Sequence, residues 1–350
     1  MKLSTPPDFP TEVFIQEKPE ALLLPKGPWV LLGDGTVREA WRSAAMPEPE
    51  GTLWVSVDES HKRLETLLPW LEHWASLPLH RDGTVVAVGG GLLLDLAGFA
   101  ASIYLRGIHW QAWPTTLLAQ VDAGLGGKTG ANLKAGKNLI GAFHAPQRLV
   151  VCTDFLQSLP LRQMESGRWE LVKTALILGD GQWAEELLQK KLPTLAWIER
   201  ALAFKAEVVH RDPREKDERR LLNLGHTLGH ALEAASDYQL LHGEAVGLGL
   251  LAACFLAEFQ GSKPFPTTLL QGMAQGLRPL SPWVAPWESC RPWLERDKKA
   301  QTIHGTTAIH CILPQAGSRA LQRPLPVEAW AEPHARLLHF LKLKDETPRA

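Results

Sequence analysis

The chain has 350 residues, with 37 basic and 38 acidic side chains for a net charge of −1, and 45% of its residues are hydrophobic. That length suits about two domains. The near-neutral balance offers no global field to recruit nucleic acid or an anionic membrane, so anion binding has to come from local clusters of lysine and arginine. The four cysteines, Cys152, Cys254, Cys290 and Cys311, are far apart and form no C-x-x-C pair. They read as those of a reduced, cytoplasmic protein without a cysteine metal site. The opening MKLSTPPDFPTEVF lacks the apolar stretch of a signal peptide, and no apolar run has membrane-spanning length.

Residues 29–32 and 53–57 are short apolar runs that read as strands, and 61–76 has helical spacing with Leu64, Leu67, Leu68 and Leu71 on one face. Residues 84–88 form a buried-strand pattern that ends in Gly89-Gly90-Gly91, and 92–105 reads as a helix. Residues 109–113 and 149–153 are further strands. Strands alternating with helices imply a parallel sheet covered on both faces. Beyond Pro160 β-branched residues become sparse, and 161–178, 182–189, 195–210, 222–235 and 244–259 all favour helix. The boundary is expected there, giving an α/β unit over 1–160 and a mainly helical unit over 161–350. Residues 263–293, rich in proline and tryptophan, read as irregular connection between short helices, and 304–313 as a late hairpin or strand pair.

Two loops suit anions. Gly89-Gly90-Gly91 lies between a strand and a helix, with Asp95 one turn inside. Glycine there removes the Cβ atoms that would block a diphosphate, and the helix start offers unpaired N–H groups. The spacing is not the full G-x-G-x-x-G, and a plain tight turn is the competing reading. The second loop, 122–132, reads DAGLGGKTGAN. A nucleoside-triphosphate loop would need glycine five positions before Gly127, where Asp122 stands, so that reading is disfavoured. A glycine-rich turn presenting Lys128, with Lys137-Asn138 soon after, still suits an anionic substrate, although either lysine alone reads as a surface residue.

Residues 221–248, LLNLGHTLGHALEAASDYQLLHGEAVGL, place His226 and His230 four residues apart on one helical face, with His242 following. Such imidazoles can converge on a divalent cation if a carboxylate completes the set. Glu170, between Trp169 and Leu171 in RWELVKTALI, is the candidate. A simple Glu170–Lys173 salt bridge is the plainer account of that residue.

Taken in order, GGGLLLDLAGF (89–99), YLRG (104–107), PTTLLAQVDAGLGGKTGAN (114–132), GKNLIGAF (136–143), ELVK (170–173), LLNLGHTLGHALE (221–233), LHGEAV (241–246) and RDKK (296–299) resemble the 3-dehydroquinate synthase family of sugar phosphate cyclases. The resemblance implies a Rossmann-like, NAD-binding α/β domain followed by a mainly α-helical metal-binding domain, with one Zn²⁺ or Co²⁺ in the cleft between them. It implies Glu170, His226 and His242 as the metal ligands, and sets His230 beside the substrate instead. Asp58, Lys62, Gly89, Gly90, Gly91, Asp95, Thr115, Thr116, Asp122, Lys128 and Lys137 would contact the cofactor. Lys128, Asn138, Lys173, Lys205, Arg219, Asn223, His230 and the Lys298-Lys299 pair would surround the substrate. Arg106 would reach a neighbouring subunit's site, implying a homodimer.

The implied substrate is 3-deoxy-D-arabino-heptulosonate 7-phosphate, a small phosphorylated sugar acid whose two anionic groups suit this set of cations. The implied reaction is transient oxidation by NAD, phosphate elimination, re-reduction and intramolecular aldol closure to 3-dehydroquinate, in the shikimate route to aromatic amino acids. A sibling cyclase acting on sedoheptulose 7-phosphate or glucose 6-phosphate, a metal-dependent NAD polyol dehydrogenase, and a non-catalytic binding protein are the alternatives. Lys205, Arg219, Asn223 and His230 match the dehydroquinate type. The chain departs from the family pattern at Arg168 and Trp169, beside the metal carboxylate, at Thr174, and at Ala123 and Gly124 after the loop aspartate.

Overall fold

The computed structural model describes residues 5–6, 10–134, 136–190, 192–296, 300–303 and 306–342, with 300–303, 306 and 307 described by backbone alone. The chain forms two compact units, Met1–Gly167 with Thr194–Glu215, and Arg168–Pro193 with Lys216–Ala350. The division is therefore no single cut near Pro160. The segment 194–215 belongs with the first unit, a return that a change in composition along the chain does not reveal.

Within the first unit lie strands β1 (Glu12–Gln16), β2 (Trp29–Asp34), β3 (Thr52–Val55), β4 (Thr84–Gly89), β5 (His109–Pro114), β6 (Lys128–Leu133), β7 (Gly136–Phe143) and β8 (Arg148–Cys152). Six of them make one sheet in the order β1-β8-β5-β4-β2-β3, and every neighbouring pair is parallel. β4 is buried along its whole length, as expected of a strand covered on both faces. Helices α1 (Arg38–Ser43), α2 (Leu67–Ala75) and α3 (Gly91–Ile103) follow β2, β3 and β4. On one face of the sheet Leu31, Val86, Val88, Trp113 and Val150 pack with Trp41 of α1, whose ring meets Trp113 edge-on at 5.4 Å. Each such side chain removed from water contributes about 1.5–3 kcal/mol. Gly89 lies opposite Pro114 in the register, so β4 and β5 end together.

Two expectations change here. The helix expected over 61–76 begins only at Leu67, after short 3-10 turns at Glu59–His61 and Leu64–Thr66. Pro69 explains the late start, because proline is tolerated in a first helical turn and not deeper. The loop expected over 122–132 gives way from Lys128 onward to β6, which pairs antiparallel with β7. β1 was not foreseen at all.

The remaining elements are α4 (Leu161–Leu178), α5 (Gly181–Gln189), α6 (Leu195–Arg211, in the first unit), α7 (His226–Ala235), α8 (His242–Phe259), α9 (Thr267–Leu277), α10 (Trp287–Glu295), an antiparallel sheet of β9 (Ala300–Ile303), β10 (Thr306–Gln315) and β11 (Ser318–Pro326), and α11 (Ala331–Lys342). The second unit is thus mainly helical. Its late β structure has three strands, one more than the expected pair. α8 is long and apolar enough to cross a membrane, but 83% of it is buried within the protein, as befits a core helix.

α7 and α8 approach closely because glycine lines their contact. Gly225, at φ 78°, precedes α7, and a Cβ on Gly249 of α8 would run into its carbonyl. This contact sets the start of α7 against α8. Gly249→Ala should therefore lower stability by about 1–3 kcal/mol, read by denaturant unfolding. A variant as stable as the parent would show that the helices can yield at no cost.

All four cysteines are buried and none is in a disulfide. Burial disfavours the thiolate, pushing Cys152 and Cys290 up to about 12 and Cys254 up as well. At pH 8 a disulfide-exchange reagent should find no fast-reacting thiol in the folded protein and all four after denaturation. One thiol per chain reacting within seconds in the native state would contradict this.

Candidate metal centre and anion cradle

Glu170 sits in α4 with 1% of its side chain exposed, and Lys173, one turn on, is its ion-pair partner. Neither carboxylate oxygen accepts a hydrogen bond from the described residues. His226, the first residue of α7, brings Nε2 to 3.8 Å from Glu170 Oε1, and His242, the first residue of α8, brings Nε2 to 3.7 Å. The three candidate ligand atoms lie within 4.8 Å of one another. Bonds of about 2.1 Å in a tetrahedral shell put ligands about 3.4 Å apart, so small side-chain adjustments would close this group on one cation. Each imidazole turns its other nitrogen to an acceptor: His226 Nδ1 lies 3.1 Å from the Leu224 carbonyl, and His242 Nδ1 lies 3.5 Å from Glu233 Oε2. With the proton on Nδ1, both Nε2 lone pairs face Glu170. Burial pushes the pKa of His242 down, but the Glu233 contact and the Glu170 charge outweigh it, and the net shift is upward. A buried carboxylate with two such imidazoles fits a divalent cation with a position left open.

Helical spacing singled out His226 with His230, yet their rings stand edge-on at 5.3 Å and His230 is exposed, 5.8 Å from the His242 ring. It neighbours the triad without joining it. Arg219 is buried, and Asn223 donates to the Arg220 carbonyl at 3.3 Å, both in the 3-10 turn Glu218–Asn223.

In the first unit, Gly89-Gly90-Gly91 links β4 to α3, and the Thr115 amide bonds the Gly89 carbonyl at 3.0 Å. A Cβ on Gly90 would lie 3.1 Å from Thr116 Cγ2, and one on Gly91 would lie 3.0 Å from the Ala123 Cβ, so bare backbone lets the next loop close over the turn. The start of α3 supplies free N–H groups for an anion. Lys62 Nζ bonds Asp95 Oδ2 at 2.6 Å, and Lys205 Nζ bonds both the Asp122 side chain and its carbonyl at 2.5 Å. Burial pushes the Asp95 carboxyl up, against the pull of Lys62 and Lys205.

The other residues implied for ligand contact are held as follows. Asp58 caps the turn at 59–61, and its hydrogen bonds from Ser60 and His61 bring it down to about 2. Lys137 pairs with Glu59 at 3.4 Å, and the Asn138 amide bonds Asn132 Oδ1 at 2.8 Å. Lys128 is ion-paired with Glu215, a residue the sequence reading did not pick out. Its partner stands 87 positions away, and only its place in the charge run REKDE hinted at it. Arg106 is exposed, in the middle of three successive positive-φ residues, Leu105, Arg106 and Gly107, at 49°, 69° and 116°. Lys298 and Lys299 lie outside the described residues.

Models of the 3-dehydroquinate synthase N-terminal and C-terminal domains match residues 52–166 and 167–300. A 3-dehydroquinate synthase of Symbiobacterium thermophilum is 40% identical over 283 residues, covering 74% of this chain and 75% of that protein. The chain belongs to the 3-dehydroquinate synthase family. The corresponding enzyme of Methylacidiphilum infernorum is 45% identical over 230 residues, which is 65% of this chain and 62% of that protein, so there the match spans less than two thirds of the relative's length. Among solved structures, a 2-deoxy-scyllo-inosose synthase complexed with carbaglucose-6-phosphate, NAD⁺ and Co²⁺ is 26% identical with a TM-score of 0.77, covering 92% of this chain and 96% of that one.

Within a 3-dehydroquinate synthase fold, the departures at Arg168 and Trp169 prove to serve packing. Arg168 donates to the Leu187 carbonyl at 2.8 Å and to the Lys190 carbonyl, closing the end of α5 and turning away from Glu170. The Trp169 ring lies over Gly247 of α8, where a Cβ would strike it. Thr174 bonds the backbone carbonyl of Glu170 at 3.1 Å. None of the three displaces the carboxylate.

Lys173→Met keeps the side chain's bulk and removes the charge that faces Glu170. In chelator, the variant should lose about 3–5 kcal/mol of stability, the cost of leaving a buried charge uncompensated, and adding Zn²⁺ should restore part of it. Equal denaturant midpoints for parent and variant in chelator would refute this account of the pair.

Proposed function

We propose that this chain is a 3-dehydroquinate synthase, a carbon–oxygen lyase that converts 3-deoxy-D-arabino-heptulosonate 7-phosphate to 3-dehydroquinate and phosphate. The observation that carries the proposal is the convergence of Glu170, His226 and His242 in a chain of this family. Those side chains would hold one Zn²⁺ or Co²⁺, and the cradle at Gly89–Gly91 with Asp95, Thr115, Thr116, Asp122, Lys62, Lys137 and Asp58 would hold NAD. Cofactors of both kinds accompany a phosphorylated sugar analogue in the related 2-deoxy-scyllo-inosose synthase. When bound, the cation acidifies a substrate hydroxyl and NAD accepts and later returns a hydride.

The chain's own groups place the substrate. Lys128, Lys205, Arg219, Asn138, Asn223 and a lysine of the 298–299 pair meet its carboxylate and phosphate, with His230 and Lys173 near the triad. Once a ketone stands beside it, the substrate's C–H is acid enough for its own phosphate to remove the proton as phosphate leaves. The protein's share is then orientation and electrostatics. Arg106 would come from a second copy, in a cytoplasmic homodimer.

The test is phosphate release from the heptulosonate phosphate with only trace NAD. Turnover far beyond the NAD supplied, lost in chelator and restored by Zn²⁺ or Co²⁺, supports the cyclase. NADH accumulating in proportion to product identifies a polyol dehydrogenase. Lys205→Ala or Arg219→Ala should each lower kcat/KM by about 10–150-fold, the worth of one hydrogen bond to a charged group. Unchanged kinetics, or better turnover of sedoheptulose 7-phosphate, would move the assignment to a sibling cyclase.

A further inference from the structure

We propose that Glu233 is a positioning residue that aims His242 at the metal, an inference that rests on the metal reading of the Glu170, His226 and His242 triad. Glu233 is 8% exposed. It stands on α7 seven residues beyond His226, two helical turns along the same face. Its Oε2 lies 3.5 Å from His242 Nδ1, while Nε2 of the same ring lies 3.7 Å from Glu170 Oε1. The ring is thus spanned by two carboxylates, one on each nitrogen.

Such an imidazole donates its Nδ1 proton outward and keeps its Nε2 lone pair for the metal, and an anionic acceptor also makes that lone pair more basic. His226 achieves the same orientation with the Leu224 carbonyl at 3.1 Å, a backbone acceptor that no side-chain change removes. For His242 the acceptor is a side chain and therefore can be tested. α7 then does two things for the centre: it supplies one ligand, and through Glu233 it orients the ligand that α8 supplies. The burial of Glu233 fits this role, since a carboxylate taken from water needs a donor of this kind.

The experiment measures Zn²⁺ and Co²⁺ affinity by competition with a chromophoric chelator in the parent, Glu233→Gln and Glu233→Ala, together with the visible Co²⁺ spectrum and the unfolding midpoint of each metal-free protein. Glu233→Ala should bind about 10–100-fold more weakly with an altered Co²⁺ band. Glu233→Gln, whose amide oxygen can still accept the hydrogen bond from Nδ1–H but lacks the charge that makes Nε2 more basic, should recover only part of that loss. A folded Glu233→Ala protein that binds within twofold of the parent overturns the proposal. If Glu233→Ala does not fold, Glu233→Gln decides, and parental affinity with a parental Co²⁺ band overturns it. A parent that binds neither ion removes the underlying metal reading instead, so the two failures are distinct.

Discussion

The burial of one carboxylate organises the second unit. Glu170 sits 1% exposed in a helix flanked by apolar side chains, where an isolated charge would cost several kcal/mol. The chain meets that cost with a cation on the next turn, Lys173, and with two imidazoles delivered from other helices. Three helices must therefore hold their relative places to within a fraction of a side chain. The means are steric: Trp169 against Gly247 registers α4 on α8, and Gly225 against Gly249 registers α7 on α8. Each contact involves a residue next to, or one or two turns from, a member of the triad. Packing and metal geometry are thus one constraint, and a methyl group at Gly249 would disturb both.

The legible parts of the fold are those where one local rule dominates. The unbroken apolar run of β4 and the helical period of α4 gave bounds that agree with the structure to within a residue. The rule fails where a second one competes. In 61–76 the leucine spacing is helical, but Pro69 forbids the first turns, and Leu64 and Leu68 end exposed. In 128–133 the glycines hid a strand whose partner, β7, gives it its shape. Pairing of that sort is non-local, and one strand's residues alone do not declare it.

The same contrast holds in the metal centre. Spacing offered His226 with His230, because residues four apart share a face. Spacing says nothing of ring direction, and the ring that meets Glu170 beside His226 belongs to the next helix. The resemblance supplied the ligand set that the geometry brings together. Glu215 and Glu233 escaped notice for a related reason: their partners, Lys128 and His242, come from other elements of the chain. Arg168 looked disruptive beside Glu170 because its backbone position is adjacent. Its long side chain instead reaches the end of α5.

The lysines assigned to anionic ligands also share a condition that the net charge of −1 conceals. Lys62 is bound to Asp95, Lys205 to Asp122 and Lys128 to Glu215. Lys62 and Lys205 both act on Asp95, and like charges that close repel unless carboxylates stand with them. Pairing each with a carboxylate holds its ammonium group in place. An anion taken up at these lysines would have to displace or share a carboxylate already in place, so its binding energy would be a difference between two ion pairs. Selectivity then follows from geometry more than from charge. An anion within reach of both Lys62 and Lys205 would gain over their resident partners, and one within reach of a single lysine would not.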